Sequence, residues 1–342
     1  MTSPERLASF PRKHFAFLPT PIVEMPRLSK LLGGPRLFVK RDDQTGLAFG
    51  GNKTRKLEFL VGEAISQGCD CLITGGAAQS NHCRQTAAAA AASGLACHLA
   101  LGGTAPEIPG GNLLLDGLLG ATIHWGGPKR KGEDIPLIAE ELRKAGKHPY
   151  IIPYGGSNPV GALGYVEAAR EAASQFDELG LEPAALVFAS SSGGTHAGLE
   201  VGARLFGLES RLIGVAIDKF EGQGPSLSER IKDIIERTWA LLTPDPASPP
   251  PNFAPILRED FLGKGYGVVG EAEREAIGLA AKTEGLLLDP VYSGRAFAGL
   301  LAMIRGGEFS ASDSVLFWHT GGSPALFPYA ADLVSIPATG PH

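Results

Sequence analysis

The sequence predicts an α/β protein whose parallel sheets are covered by helices on both faces. Short apolar runs of strand length alternate with longer segments of helical periodicity along the whole chain. Polar, glycine-containing segments begin where several of the apolar runs end. This alternation is typical of units in which a crossover helix returns the chain to a parallel strand.

Composition narrows the class of protein. The chain has 342 residues, of which 44% are apolar and 20% charged, as in an ordinary globular protein. At roughly 100–200 residues per domain, this length suits two domains. The net charge of −5, without a basic stripe, argues against a nucleic-acid partner. No apolar run has the length of a membrane helix and no secretory signal is recognisable, so we expect no membrane association and a cytoplasmic location.

The four cysteines fall within a short region and include no CxxC pair. We interpret them as buried free thiols and predict no metal site. They are Cys69, Cys71, Cys83 and Cys97.

The first half of the chain alternates strands and helices. Between residues 57 and 65, apolar side chains recur at i, i+3, i+4, i+7 and i+8, which predicts a helix. Ser80 opens an alanine-rich helix, and we expect Gly94 to end it. Predicted strands lie at 37–40, 71–74, 97–101, 122–125 and 150–153.

The same order continues beyond residue 154. Helices are predicted over 159–176 and, after a polar turn, up to residue 205. The Pro-rich segment 243–251 is predicted to be a surface loop and not a domain linker. Predicted strands lie at 185–189, 212–217, 286–288 and 315–318.

Lys53 lies in the segment Gly50-Gly51-Asn52-Lys53, where a loop gives way to a helix. Glycine allows the backbone to approach a cofactor closely. Lys56 follows about one helical turn later and would hold an anion nearby. The combination suggests a lysine that forms a Schiff base with an aldehyde cofactor.

Residues 190–195 read Ser-Ser-Ser-Gly-Gly-Thr between a predicted strand and a predicted helix. Backbone N–H groups at such a turn, with the positive end of the helix behind them, form a site for a single phosphate. The glycine spacing fits neither a Walker A loop nor the dinucleotide fingerprint. Taken alone, a tight turn capped by serine and threonine is the simpler interpretation.

The segment Gln79-Ser80-Asn81-His82 also opens a helix after a strand. Its free N–H groups and polar side chains would hold a substrate carboxylate well. The simpler alternative is a serine N-cap, which is common. A histidine such as His82 is, by itself, more often structural than catalytic.

Two further polar segments, 289–295 and 319–322, follow predicted strands. In open α/β sheets, ligands bind beyond the carboxyl ends of the strands. Tyr266, between two glycines, is a weaker candidate because a tyrosine also fills loops. Each segment alone is weak evidence for a functional site, whereas their joint occurrence at strand ends is much stronger evidence.

Together these segments resemble the family of 1-aminocyclopropane-1-carboxylate (ACC) deaminase and D-cysteine desulfhydrase, which use pyridoxal 5′-phosphate (PLP). The resemblance extends from about residue 10 to about residue 332. It implies fold type II, the tryptophan synthase β-like fold, with two open, twisted parallel-sheet domains. The matching segments are 40–43, 50–56, 79–82, 155–158, 289–292 and 319–322.

The resemblance implies a cofactor site. Lys53 would bond the PLP aldehyde, and Lys56 with the backbone of Gly193, Gly194 and Thr195 would hold the phosphate. Asn81 would donate a hydrogen bond to the phenolic oxygen of the cofactor, and Thr320 is also a predicted cofactor residue.

It also implies a substrate site. Ser80 and the N–H groups near it would bind the substrate carboxylate and lie close to the Cα proton. Asn81, His82, Tyr266 and Tyr292 would complete the substrate pocket. Lys53, Ser80 and Tyr292 are the predicted catalytic residues.

The family fold implies a discontinuous large domain, residues 1–55 plus 165–342, and a small domain, residues 56–164. Homodimers are usual in the family, so we expect a homodimer acting on a small amino acid.

Two positions separate the subgroups of the family. ACC deaminases resemble one another in a glutamate and a leucine at the positions of Ser293 and Thr320 in this chain. A carboxylate against the pyridine nitrogen would keep it protonated and strengthen the electron sink, whereas a hydroxyl tolerates a neutral nitrogen. Because ring opening has a carbanion leaving group, it demands more of the cofactor than expulsion of sulfide or sulfite.

The sequence therefore predicts PLP-dependent α,β-elimination from D-cysteine, giving pyruvate, sulfide and ammonia. L-cysteate sulfo-lyase activity is the first alternative, with His82, Arg84 or Arg295 as sulfonate partners. Arg84 is equally well interpreted as a structural helix residue. ACC deamination is a second alternative, and a non-catalytic PLP-binding protein is an alternative of another class.

Overall fold

The computed structural model describes residues 2–219, 224–245 and 250–334. Part of the segment 243–251, interpreted above as a surface loop, lies outside these ranges. Within them, no helix combines the length and the apolar character needed to cross a membrane.

Ten strands and twelve α-helices are formed in the described ranges. The strands are β1 (Ile22–Glu24), β2 (Arg36–Lys40), β3 (Cys71–Ala77), β4 (Ala96–Gly102), β5 (Thr122–Trp125), β6 (Pro149–Ile151), β7 (Ala185–Ser190), β8 (Arg211–Ala216), β9 (Ile256–Arg258) and β10 (Ser314–Trp318). The helices are α1 (Ser3–Ser9), α2 (Pro26–Leu32), α3 (Asn52–Ser66), α4 (Asn81–Ala91), α5 (Gly111–Leu118), α6 (Ile135–Lys144), α7 (Pro159–Leu179), α8 (Gly194–Phe206), α9 (Leu227–Leu242), α10 (Glu271–Glu284), α11 (Ser293–Arg305) and α12 (Ala330–Leu333).

The strands form two sheets. One has the order β1-β2-β10-β7-β8-β9 and the other β5-β4-β3-β6. Every pairing is parallel except that of β1 with β2. Central strands such as β7 are buried along their whole length, which explains their continuous apolar sequences. The predicted α/β class is confirmed.

The predicted strand at 286–288 is wrong. Leu286 and Leu288 are buried while Leu287 is 55% exposed, an alternation that mimics a strand. However, the Leu287 carbonyl lies 3.0 Å from the ring nitrogen of His319, a side-chain partner, and the segment joins neither sheet. The sequence also missed β1 and β9, because both are short, partly exposed edge strands.

The four-stranded sheet is built from β3 to β6, and the six-stranded sheet takes its strands from both flanks of the chain. Helix α7 packs against both α3 and α8 and so connects the two sheets. The domain boundaries at residues 56 and 164 remain a prediction. Among the cysteines, all four are free thiols, but Cys69 is only partly buried, unlike the other three.

A buried ionic network holds α3 in place. Arg55 donates to Asp42 from Nε and Nη2 at 2.9 and 2.8 Å, and Asp42 also accepts from the Tyr165 hydroxyl at 2.6 Å and the Trp318 indole at 2.8 Å. Burial disfavours the ionised carboxyl, but the charge and hydrogen bonds of Arg55 outweigh it and lower the pKa of Asp42 to about 2. The network therefore anchors the turn of α3 that begins two residues before Arg55, at Lys53.

Asp116 on α5 is a second buried carboxyl. Neither of its oxygens has a hydrogen-bond partner among the described residues. Burial raises the pKa of Asp116 from 3.8 to about 7, against the opposing charge of Arg84. Because the pKa is higher in the folded state, the group favours folding at low pH and this contribution is lost as the pH rises through 7.

We therefore expect Asp116→Asn to raise the free energy of unfolding by about 1–3 kcal/mol more at pH 8 than at pH 5. At pH 8 the substitution removes a buried charge, whereas at pH 5 the wild-type carboxyl is already neutral. Urea unfolding at the two pH values measures the difference. An equal change at both would contradict the assignment.

Candidate active site

A cavity lies where the loops that follow the carboxyl ends of β3, β7 and β10 approach the N-terminus of α3. Most of the predicted site residues line it. Those that do are Lys53, Ser80, Asn81, His82, Gly193, Thr195, Tyr292 and Thr320.

Lys53 is the second residue of α3 and lines the cavity. Burial lowers the pKa of its amine to about 8, although the charge of Asp289 opposes the shift. An amine with this pKa is available in its neutral form near physiological pH, as a nucleophile or a base must be.

Gly51, the N-cap of α3, shows why the approach to Lys53 is rich in glycine. Its φ is +124°, a conformation that L side chains rarely adopt. A Cβ at this position would lie 2.7 Å from Nε2 of Gln85 and 3.1 Å from the carbonyl oxygen of Thr320. Only glycine therefore brings the first turn of α3 against the loop after β10.

The N-terminus of α8 and Lys56 together form an anion site. Lys56 is buried, and its amine bonds the Gly155 carbonyl and the Ser157 hydroxyl, both at 3.1 Å. A Cβ on Gly194 would lie 2.9 Å from that amine, so the bare backbone keeps the cation against the helix terminus. Asn52 ties α3 to this terminus through a 3.0 Å bond to Thr195.

This arrangement fits a phosphate-bearing aldehyde cofactor. Lys53 supplies an amine inside the cavity, and the α8 terminus with Lys56 supplies backbone N–H groups and a cation. Burial, and next the charge of Lys53, lower the pKa of Lys56 well below its usual value. Lys56 forms no salt bridge within the described ranges, so an incoming phosphate would be its first counter-ion.

Replacing Lys56 with methionine is expected to weaken PLP binding roughly 10- to 100-fold, because a charge-assisted bond to the phosphate is lost. Since the pKa of Lys56 is lowered in the free protein and raised by a bound anion, wild-type protein should take up protons when it binds inorganic phosphate at pH 8. Calorimetry in buffers of different ionisation enthalpy measures this uptake. Unchanged uptake in the variant would contradict the assignment, and Lys30→Met, at an exposed site, is the matched control.

Ser80 caps α4, and its hydroxyl accepts from the Cys83 N–H at 3.2 Å. The alternative interpretation as an N-cap is therefore correct, and Ser80 also lines the cavity. His82 lies 2.8 Å from Thr74, whose own hydrogen is donated to the Ile152 carbonyl at 3.0 Å, so Nε2 of His82 carries the proton. Burial, and then the charges of Lys53 and Lys56, lower the pKa of His82 well below 6.5 and keep it neutral.

Tyr292 lines the cavity, and Tyr266 lies behind it. Their hydroxyls are 2.5 Å apart and their rings meet edge to face. Burial raises the pKa of both phenols well above 10, so both stay protonated. Asp289 accepts from the backbone N–H groups of 291 to 293 and so fixes the turn that carries Tyr292.

The two residues that separate the subgroups lie in different surroundings. Thr320 lines the cavity. Ser293 is fully buried outside the lining, and its hydroxyl donates to Asp289 at 2.6 Å. No aspartate or glutamate is found among the described residues that line the cavity.

The two arginines considered for a sulfonate lie outside the cavity lining. Arg84 is buried and donates to the Gly50 carbonyl at 2.7 Å and to the Asn112 side chain at 2.9 Å. Arg295 pairs with Glu273 at 2.8 Å and bonds backbone carbonyls. Both have structural partners.

The sequence assigned no individual role to several residues that the fold adds to the cavity wall. They come from segments already quoted or from turns without a chemical signature. They are Asn52, Tyr154, Gly155, Ala189, Ser190, Ser191, Ser192 and His196. Tyr154 and His196 had no sequence signal, because each reaches the cavity only through tertiary packing.

The cavity of this α/β protein contains a lysine whose pKa is lowered, and a second, buried lysine lies at a helix N-terminus. These are the features of an enzyme that bonds a phosphorylated aldehyde cofactor. A model of the family described as "Pyridoxal-phosphate dependent enzyme" matches residues 14–321. The chain belongs to this family, and PLP is its cofactor.

Two solved structures define the fold further. The chain is 37% identical to one described as an "ACC deaminase homologue", with a TM-score of 0.88, over 97% of this chain and 98% of that chain. It is 17% identical to the processed form of threonine deaminase isoform 2 from Solanum lycopersicum, with a TM-score of 0.68, over 97% of this chain and 86% of that chain. The second likeness concerns the fold alone. The protein has the fold-type II architecture expected above.

Proposed function

We propose that the protein catalyses α,β-elimination from D-cysteine, giving pyruvate, sulfide and ammonia. The observation that supports this most is the absence of a carboxylate among the described residues of the cavity wall. Asp289, whose charge acts on Lys53, is engaged by three backbone N–H groups and the Ser293 hydroxyl. A ring nitrogen without a carboxylate partner makes a weaker electron sink, which suits a good leaving group on Cβ.

The residues of the chain supply the remaining chemistry. When bound, PLP supplies an aldehyde that bonds the substrate amine and a ring that accepts electrons from Cα. Ser80 and the N–H groups at the start of α4 hold the substrate carboxylate. The Lys53 amine, with its pKa near 8, takes the Cα proton. The electron pair of the Cβ–S bond leaves with sulfide, and water completes the release of pyruvate and ammonia.

Tyr292 is the proposed donor near the leaving group. Its phenol stays protonated, and its contact with Tyr266 orders the hydroxyl at the cavity wall. Because the two hydroxyls share one hydrogen bond, one O–H hydrogen remains for a further acceptor.

Sulfite elimination from L-cysteate has less support. A sulfonate carries a permanent negative charge and needs a cation or several donors beyond those that hold the carboxylate. Arg84 and Arg295 are committed to other partners, and His82 is neutral.

ACC deamination is the second candidate. It is favoured by the likeness to a structure described as an ACC deaminase homologue, at 37% identity over almost the whole chain. Ser293 and Thr320 argue against it, since a glutamate and a leucine stand there in the ACC deaminases that the sequence resembles.

A substrate panel separates these functions. Purified PLP-loaded protein is given D-cysteine, L-cysteine, L-cysteate, β-chloroalanine and ACC, and pyruvate and 2-oxobutyrate are measured separately. We expect pyruvate with sulfide from D-cysteine. Pyruvate with sulfite from L-cysteate, or 2-oxobutyrate from ACC, at higher kcat/KM would replace the proposal with that activity, and no turnover of any substrate would indicate a PLP-binding protein. The homodimer and the cytoplasmic location remain predictions.

A further inference from the structure

A chain of buried hydrogen bonds leads from Arg84 to Asn81. Nη1 of Arg84 donates to Oδ1 of Asn112 at 2.9 Å. Nδ2 of Asn112 donates to the Gln79 carbonyl at 2.9 Å and to Oδ1 of Asn81 at 2.8 Å. Asn112 and Arg84 are both fully buried. The backbone N–H of Asn112 is also held, by Oε1 of Gln79 at 2.9 Å.

The partners leave each amide a single orientation. A guanidinium only donates, so the atom of Asn112 facing Arg84 must be the oxygen. A backbone carbonyl only accepts, so the atom facing Gln79 must be the NH₂ group. That NH₂ group also faces Asn81, which must therefore present its oxygen to Asn112. The NH₂ group of Asn81 is left to point the other way.

The NH₂ group of Asn81, which faces away from Asn112, is the part of this side chain available to the cavity. Asn81 is one of its lining residues. Within the described ranges, no group accepts a hydrogen bond from its Nδ2. The backbone of Gly322 lies beside this atom, since a Cβ on Gly322 would be 2.8 Å from it. Asn81 thus presents two N–H hydrogens, and no carbonyl, to whatever the cavity holds.

We propose that Asn112 and Arg84 are positioning residues that lock the Asn81 amide with its N–H donors toward the phenolic oxygen of the cofactor. The inference rests on the proposed function and on the contact between Asn81 and PLP that the family resemblance implies. Arg84 has a second role in the same hydrogen-bond network, because its Nη2 donates to the Gly50 carbonyl in the loop before Lys53. One arginine therefore sets the position of both the amide and the loop that carries the reactive lysine.

The replacement Asn112→Asp tests the lock with little change in shape. The introduced carboxylate keeps the acceptor for Arg84 but has no N–H to donate. The Asn81 amide must therefore turn its NH₂ group to that carboxylate and its carbonyl to the cavity. We expect PLP affinity, measured by fluorescence titration of cofactor-free protein, to fall roughly tenfold or more. The pH dependence of the visible absorbance of bound PLP should shift, because the phenolic oxygen loses a donor.

A double-mutant cycle with Asn81→Ala separates positioning from structure. If Asn112 acts through Asn81, Asn112→Asp should change the affinity and the pH profile by less than about twofold in the Asn81→Ala background. An equal loss in both backgrounds, or no loss in either, overturns the proposal. Asn252→Asp, an equal charge change at an exposed site, is the control. If Asn112→Asp does not fold, Asn112→Ala enters the same cycle under the same criteria.

The cycle also tells this inference apart from the proposed function. If Asn81→Ala leaves PLP affinity unchanged, the predicted contact between Asn81 and the cofactor is wrong, and the proposed positioning role is overturned as well. If Asn81→Ala weakens PLP binding while Asn112→Asp and Asn112→Ala do not, only the positioning role is overturned. The substrate panel reports independently on the reaction.

Discussion

Replacing Lys53 with alanine is expected to lower kcat by roughly 10³-fold or more, because we propose one amine both as the covalent anchor of PLP and as the base for the Cα proton. Lys53 lines the cavity at the start of α3, and burial has already lowered its pKa to about 8. The anion site formed by Lys56 and the α8 terminus remains intact in this variant. We therefore expect PLP still to bind, without a covalent bond.

The measurement combines turnover with chemical trapping. Borohydride reduction followed by peptide mass spectrometry should find the pyridoxyl group on Lys53 in wild-type protein and on no peptide of the variant. Pyruvate release from D-cysteine gives the rate. Lys30→Ala, at an exposed site, should keep wild-type values. A Lys53→Ala protein with more than a tenth of wild-type turnover would contradict the role of Lys53.

Replacing Asp42 with asparagine should lower the free energy of unfolding by about 3–5 kcal/mol, the usual cost of removing one partner of a buried ion pair. Asp42 accepts from Arg55, Tyr165, Trp318 and Thr20, and an amide cannot accept from all of these donors. The guanidinium of Arg55 would keep only Glu171 as an anionic partner. The first turn of α3 would then lose its main anchor.

The effect should also depend on pH. Because the pKa of Asp42 is lowered to about 2 in the folded state, its contribution is full above about pH 4 and is lost as the pH falls through 2. Guanidinium unfolding of wild type and variant at pH 7 measures the main effect. Asp233→Asn is the matched control, since Asp233 pairs with Arg237 at an exposed site, where ion pairs contribute at most about 1 kcal/mol. A loss of similar size in both variants would show that the buried network has no special role.

Much of the fold was predictable because its signals are local. The strand at 122–125 matches β5 at both ends, and the helix predicted from residue 159 begins there. Burial on both faces produced the apolar runs, and glycine or serine marks the helix starts. The strand predicted at 286–288 was wrong because an alternating burial pattern does not by itself supply a neighbouring strand.

The site was predictable where residue chemistry and local geometry coincide. The sequence indicated Lys53, and the residues 190–195, because glycine, a helix start and a reactive or polar side chain occur together there. Tyr154, His196 and Asn112 carried no such signal. Each gains its role from neighbours distant in the chain, as Asn112 does from Asn81 and Arg84.

From the sequence alone it was possible to determine the α/β class, because periodicity and helix starts are properties of neighbouring residues. The PLP cofactor followed from the resemblance to a known family, and the role of Lys53 as its anchor stays a prediction. Only the tertiary structure decided which side chains share the cavity, that none of its described lining residues is acidic, and that the two arginines have structural partners. It also decided the direction in which the pKa values of Lys53, Lys56 and His82 are shifted, and the hydrogen-bond partners of the Asn81 amide. These properties depend on burial and on charges and hydrogen bonds between segments far apart in the chain, which no local pattern encodes.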